Sequence, residues 1–91
     1  MLDFDKKALT MEEIKEVVKE YILEEFLPGE DPEKLTDLTP LITGGILDSL
    51  ATIKLVVFLE ERFEIQIQAH ETMVDYLNTV SDIAQLVQSK L

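Results

Sequence analysis

The segment GGILDSL, Gly44 to Leu50, and the apolar stretch it opens, running to about Phe63, constrain this chain more than any other feature. Asp48 and Ser49 suit a helix start, because a short oxygen-bearing side chain accepts a hydrogen bond from first-turn amides that lack a partner inside the helix. Gly44 and Gly45 let the backbone turn sharply into that start. Ser49 is therefore expected at an exposed helix tip, where an attached phosphate would face unpaired N–H groups and the positive end of the helix dipole. At about 100° per residue the helix carries two apolar stripes. Leu55, Val56, Leu59 and Phe63 make one. Leu50, Ile53 and Val57 make the other, set apart by Ser49 and Glu60 on one flank and by Lys54 and Glu61 on the other. Such a helix is either buried on two faces, or it keeps one stripe for the core and offers the second to partners.

The rest of the chain predicts more helix. Thr10, with Glu13 three residues on, is a capping box. Met11, Ile14, Val17, Val18, Tyr21 and Ile22 follow at helical spacing, and Pro28-Gly29 ends that helix at or a little before Leu27. Asp31-Pro32 can start one extra turn. From there to Leu47, turn residues mixed with Leu35, Leu38, Leu41 and Ile42 predict a long crossover loop between the first and second helices, its apolar residues plugging the core. Glu64 to Gln68 alternates like a strand but has no second strand to pair with, so an extended linker burying Ile65 and Ile67 is predicted. His70 to Tyr76 predicts one or two helical turns held by Met73, Val74 and Tyr76, with Leu77 in the same contact. Thr79-Val80-Ser81-Asp82 then opens a last helix whose core face is Ile83, Leu86 and Val87. The fold class that follows is all-α, a small bundle of three main helices plus one short helix. Residues 1–91 read as a single domain, 1–9 being an N-terminal extension whose Leu2 and Phe4 are candidates to pack on it.

Ninety-one residues with 46% apolar content allow one small core and argue against disorder. No run approaches the roughly 18 apolar residues of a membrane span. The opening MLDFDKKALT lacks the pattern of a secretory signal, so cytoplasm is the default location. The absence of cysteine removes disulfide and thiolate chemistry. Nineteen acidic residues against eight basic ones give a net charge of −11. That surface repels nucleic acid and favours partners with basic patches.

The run LDSL and the helix ending FLEERFEIQI resemble the phosphopantetheine attachment region of acyl and peptidyl carrier proteins. A looser similarity extends from about Met11 to Leu91. The resemblance implies that Ser49 bears covalent 4′-phosphopantetheine, with Asp48 and Leu50 completing the attachment motif. It also implies that Asp48 helps hold a magnesium ion in the transient complex with the loading enzyme. Three kinds of partner follow: a phosphopantetheinyl transferase that moves the arm from coenzyme A onto Ser49 Oγ, an acyl- or aminoacyl-activating ligase, and downstream acyl-transferring enzymes. Such a chain is not an enzyme. Leu50, Ile53 and Val57 would give each partner an apolar contact, while Glu60, Glu61 and Glu64 would meet its basic residues. A carrier is expected to work as a monomer, so that its arm reaches different enzymes. Fatty-acid carriers typically place acidic residues two and five positions after the serine, where this chain has Ala51 and Lys54. GGILDSLATIKLVVFLEERFEI is more similar to stand-alone aminoacyl carriers, such as D-alanyl carriers, and to peptidyl carriers. A fatty acyl cargo is the alternative.

The residues taken alone leave other chemistry to weigh. As a hydrolase nucleophile Ser49 would need a base within reach and an oxyanion hole. The one histidine, His70, falls in the loop region after the central helix, and the glycine-serine-glycine elbow is absent. The pairs Glu12-Glu13, Glu24-Glu25 and Glu60-Glu61 are adjacent in sequence, so they point apart on a helix, and no acidic run follows the calcium-loop pattern. No resident metal site is expected. A competing function is a helical adaptor without a prosthetic group, docking one partner helix through Leu50, Ile53 and Val57.

Overall fold

A computed structural model describes residues 9–91; the suggested packing of Leu2 and Phe4 lies outside the described residues. Helix α1 spans Met11–Phe26. Its capping box is reciprocal: the Glu13 amide donates to Thr10 Oγ1 at 3.1 Å, and the Thr10 amide donates to Glu13 Oε1 at 2.9 Å. Ile14, Val18 and Ile22, spaced four apart, form its fully buried edge. The helix stops before Pro28, the Leu27 amide closing the last turn onto the Leu23 carbonyl. A 3₁₀ turn at Pro32–Lys34 follows, capped by Asp31.

The crossover from residue 35 to 48 is anchored as its leucines predict, with one exception. Leu35, Leu41 and Leu47 are buried and Ile42 is half-buried, but Leu38 is 73% exposed. The cause is a tight turn. The Thr36 amide donates to Thr39 Oγ1 at 2.9 Å and the Leu38 amide to Thr36 Oγ1 at 3.3 Å, and the turn leaves Leu38 facing outward. Asp37 then meets α1, with Lys19 Nζ at 2.7 Å and Lys15 Nζ at 3.0 Å. These two ammonium groups hold its carboxyl below the usual aspartate value.

Helix α2, Ser49–Phe63, buries Ala51, Leu55, Leu59 and Phe63 and half-buries Val56. It ends at Glu64, whose φ of 55° is left-handed and turns the chain into the extended linker of residues 65–68. Ile65 is buried there and Ile67 half-buried, as the alternation predicts. A 3₁₀ turn at Ala69–Thr72 leads to α3, a single turn at Val74–Leu77. Here the sequence expectation needs correcting. Leu77 is fully buried, whereas Met73, Val74 and Tyr76 are exposed and lie outside the core, Tyr76 meeting the edge of His70. A four-residue helix turns only one position fully inward. What else secures the segment is polar: Glu71 Oε1 accepts from Lys90 Nζ at 2.8 Å and from the Gln68 amide at 2.8 Å.

Helix α4, Val80–Ser89, is capped by Thr79 and buries Val80, Ile83, Ala84, Leu86 and Val87. It packs on α1 and on α3. The result is an all-α bundle of three main helices and one short one, with no strand among the described residues. No helix in it is long and apolar enough to cross a membrane.

Candidate functional site

The approach to Ser49 is a closed loop. The Leu41 carbonyl accepts from both the Ile46 and Leu47 amides at 2.9 Å, and the Gly45 amide donates to the Ile42 carbonyl at 3.1 Å. Both glycines are required. A Cβ at Gly44 would collide with the Pro40 carbonyl oxygen, and Gly45 sits at a φ of 85°. Buried Leu47 pins the exit of the loop, and Asp48 becomes the N-cap of α2. Asp48 Oδ1 accepts from the Ala51 amide at 2.7 Å, while its carbonyl accepts from the Thr52 amide and from Thr52 Oγ1 at 2.8 Å.

Ser49 is thus the first residue of α2, and it is exposed. The Ser49 and Leu50 amides donate to none of the described residues, as first-turn amides do, so the hydroxyl stands at the positive end of the helix. Beside it lies an open cleft of about 930 Å³, walled by Ile42, Val56, Met73 and Val74 and edged by Thr52, Thr72 and Asp75.

The second stripe is exposed on the same helix. Leu50 is 62% exposed, Ile53 60% and Val57 46%, which decides between the two readings of α2 in favour of an unpartnered face. Ile53 and Val57 form a ridge, because they line the Ser49 cleft on one side and a smaller hollow of about 340 Å³ on the other. That hollow is framed by Tyr21, Lys54, Phe58 and Glu61. Its floor joins α1 to α2: the Tyr21 ring stacks on Phe58 at 4.0 Å, and its hydroxyl donates to the Lys54 carbonyl at 3.2 Å. Burial, and then the nearby Glu25, raise the pKa of that hydroxyl.

Asp48, Ser49 and Leu50 come together at the start of α2, with Ile53 and Val57 one and two turns further along. The acidic candidates divide. Glu61 is exposed beside the smaller hollow. Glu60 is half-buried, and its Oε2 accepts from the Ile67 amide at 2.9 Å, so one oxygen holds the linker. Glu64 is the left-handed cap. His70 lies on the 3₁₀ turn edge-on to Tyr76, outside the lining of the Ser49 cleft. Periodicity did not find Met73 and Val74, which wall the cleft, because it assigned them to the core. Nor did it find Thr52 and Asn78, whose roles rest on hydrogen bonds. Among the described residues, no group of three or more metal-ligating side chains occurs.

Residues 14–87 match the family model described as a phosphopantetheine attachment site. The chain belongs to the family of phosphopantetheine-bearing carrier proteins. It is 31% identical over 81 residues to an acyl carrier protein of Phenylobacterium zucineum (strain HLK1), covering 89% of this chain and 98% of that one. It is 38% identical over 73 residues to a D-alanyl carrier protein of Streptococcus pyogenes serotype M5 (strain Manfredo), covering 78% of this chain and 91% of the relative. The same identity is found with the D-alanyl carrier protein of Streptococcus sanguinis (strain SK36), over 80% of this chain and 89% of that one.

Membership implies covalently attached 4′-phosphopantetheine as the cofactor. The geometry fits such a group. An exposed hydroxyl stands beside unpaired first-turn amides suited to a phosphodiester, and an apolar cleft opens next to it. Asp48 also keeps one carboxylate oxygen, Oδ2, without a partner among the described residues, available to a cation in a loading complex.

Proposed function

We propose that Ser49 bears the arm and that this chain, as one carrier domain, presents an acyl group, specifically an aminoacyl group, to partner enzymes. The observation that carries this reading is the exposed Ser49 hydroxyl in the first turn of α2, with the exposed stripe Leu50, Ile53 and Val57 beginning at the next residue. When bound, the arm supplies a thiol that holds a carboxylic acid as a thioester. The chain's own residues do the rest. Asp48 caps the helix and keeps the amide dipoles aligned behind the serine, and the ridge of Ile53 and Val57 gives a docking enzyme an apolar foothold. Glu61 and its acidic neighbours draw in partners with basic surfaces.

In this reading the chain is a carrier that leaves catalysis to its partners, which its acyl and D-alanyl carrier relatives support. Its partners are a phosphopantetheinyl transferase, an activating ligase and downstream acyl-transferring enzymes, met by a monomer in the cytoplasm. The aminoacyl cargo is supported by the D-alanyl carrier relatives. Two positions on α2 support it too. Ala51, two residues after the serine, is buried, and Lys54, five after it, is an exposed cation where a fatty-acid carrier would present an acid. A fatty acyl cargo is favoured by one observation, the largely apolar cleft beside Ser49.

The test is intact mass after co-expression with a broad-specificity phosphopantetheinyl transferase. One arm is added to the wild type and none to Ser49→Ala. An unchanged wild-type mass beside a loaded control carrier would favour the adaptor reading instead. Incubating the loaded form with an amino-acid-activating ligase, and separately with a fatty-acid-activating one, distinguishes the two cargoes by the mass gained.

A further inference from the structure

Asn78, at the end of α3, lies 29 residues beyond Ser49 in sequence, yet it holds the loop that delivers the serine. Its Oδ1 accepts from the Ile42 amide at 2.9 Å and from the Thr43 amide at 3.0 Å, and its Nδ2 lies 3.3 Å from Thr43 Oγ1. Its carbonyl accepts from the Leu41 amide at 2.6 Å. Three consecutive backbone amides, 41 to 43, are thereby secured by one residue. The hold then passes along the chain. Leu41 turns its carbonyl to the Ile46 and Leu47 amides, Ile42 turns its carbonyl to Gly45, and Leu47 is buried immediately before Asp48 and Ser49. Asn78 has ordinary right-handed backbone angles, so no conformational demand explains an asparagine there. An amide oxygen accepting from two adjacent N–H groups does.

We propose that Asn78 is a positioning residue for the loading of this carrier: by fastening residues 41–43 to the α3–α4 junction, it fixes where the Ser49 hydroxyl stands. This rests on the reading of Ser49 as the attachment residue. The docking ridge of Ile53 and Val57 belongs to α2 itself and does not depend on this fastening. Loss of the Asn78 side chain therefore leaves the transferase able to bind and makes it slower to transfer. An aspartate can still accept from both amides, whereas leucine or alanine cannot.

The experiment compares wild type with Asn78→Leu, Asn78→Ala and Asn78→Asp. The readouts are amide hydrogen exchange at Ile42 and Thr43, and steady-state loading from coenzyme A by a phosphopantetheinyl transferase. Losing both acceptor contacts should speed exchange at these two amides and lower kcat by about tenfold, with KM for the carrier within about twofold of wild type; the aspartate variant should recover most of both. Loss of folded protein alone would instead raise the apparent KM. If the leucine variant does not fold, the alanine and aspartate variants give the same comparison. Wild-type kcat in the variants that lack the acceptor, a loss confined to KM, or no rescue by aspartate would each overturn the proposal. A failure of the Ser49 reading is separately visible, because Ser49→Ala would then still gain the arm.

Discussion

Asp48 is both the cap of α2 and the neighbour of the serine, and substitution can separate those two roles. In Asp48→Ala the Ala51 amide loses its 2.7 Å partner and the helix start loses a negative charge. Losing an N-cap costs about 1 kcal/mol and removing the charge from the helix N-terminus a further 0.3–1 kcal/mol, or roughly 1.5 kcal/mol together. For a domain of this size that lowers Tm by roughly 6–12 °C. Asp48→Asn keeps a capping oxygen and forfeits only the charge, so its Tm should fall less than that of Asp48→Ala, by about 1–8 °C. Thermal unfolding followed by circular dichroism gives both numbers. Loading behaves differently. If Oδ2 serves a cation in the loading complex, Asp48→Asn should load at least about tenfold more slowly than wild type, at temperatures where both are folded. An Asp48→Ala domain that melts with the wild type would refute the energetic argument. An Asp48→Asn domain that loads at the wild-type rate would reduce Asp48 to a cap.

Three further outcomes follow from other parts of the molecule. Leu77 is the one fully buried residue of α3, so Leu77→Ala should cost about 2–5 kcal/mol. Hydrogen exchange should rise most in residues 69–78, and a uniform rise across the bundle would contradict its role as the local anchor. Lys90, and then the Gln68 amide, hold the Glu71 carboxyl below its usual value. A carboxyl depressed in the folded state stabilises above its unfolded pKa, and the contribution is lost as pH falls through the folded one. The stability gap between wild type and Glu71→Gln should therefore be full near neutrality and shrink as pH drops below about 4.3; a gap independent of pH would show that the ion pair contributes nothing. Ile53→Asp, at an exposed position, should leave stability within about 0.5 kcal/mol of wild type while raising the transferase KM for the carrier. An unchanged KM would remove Ile53 from the docking face.

Features set by near neighbours are legible in the sequence itself. The Thr10–Glu13 box, the Asp31 and Thr79 caps and the Asp48 start each need only three or four residues, and all four form. The two stripes of α2 were equally plain, because helical spacing alone assigns Leu55, Leu59 and Phe63 to one side and Leu50, Ile53 and Val57 to the other. What spacing could not assign was the fate of apolar residues outside long helices. Leu38 is lifted out by a threonine turn and an ion pair to α1, while Met73 and Val74 become the wall of a cleft and not part of the core. Glu60 gives one oxygen to the Ile67 amide. Asn78 carried no signal at all, since its partners lie 35 and 36 residues away and the pairing is created by the fold.

The most direct test of the account is to fragment the loaded protein and locate the arm. Fragment ions that place one phosphopantetheine on Ser49 are the predicted result. An arm found on Ser81, Ser89 or any threonine, with Ser49 unmodified, would contradict it.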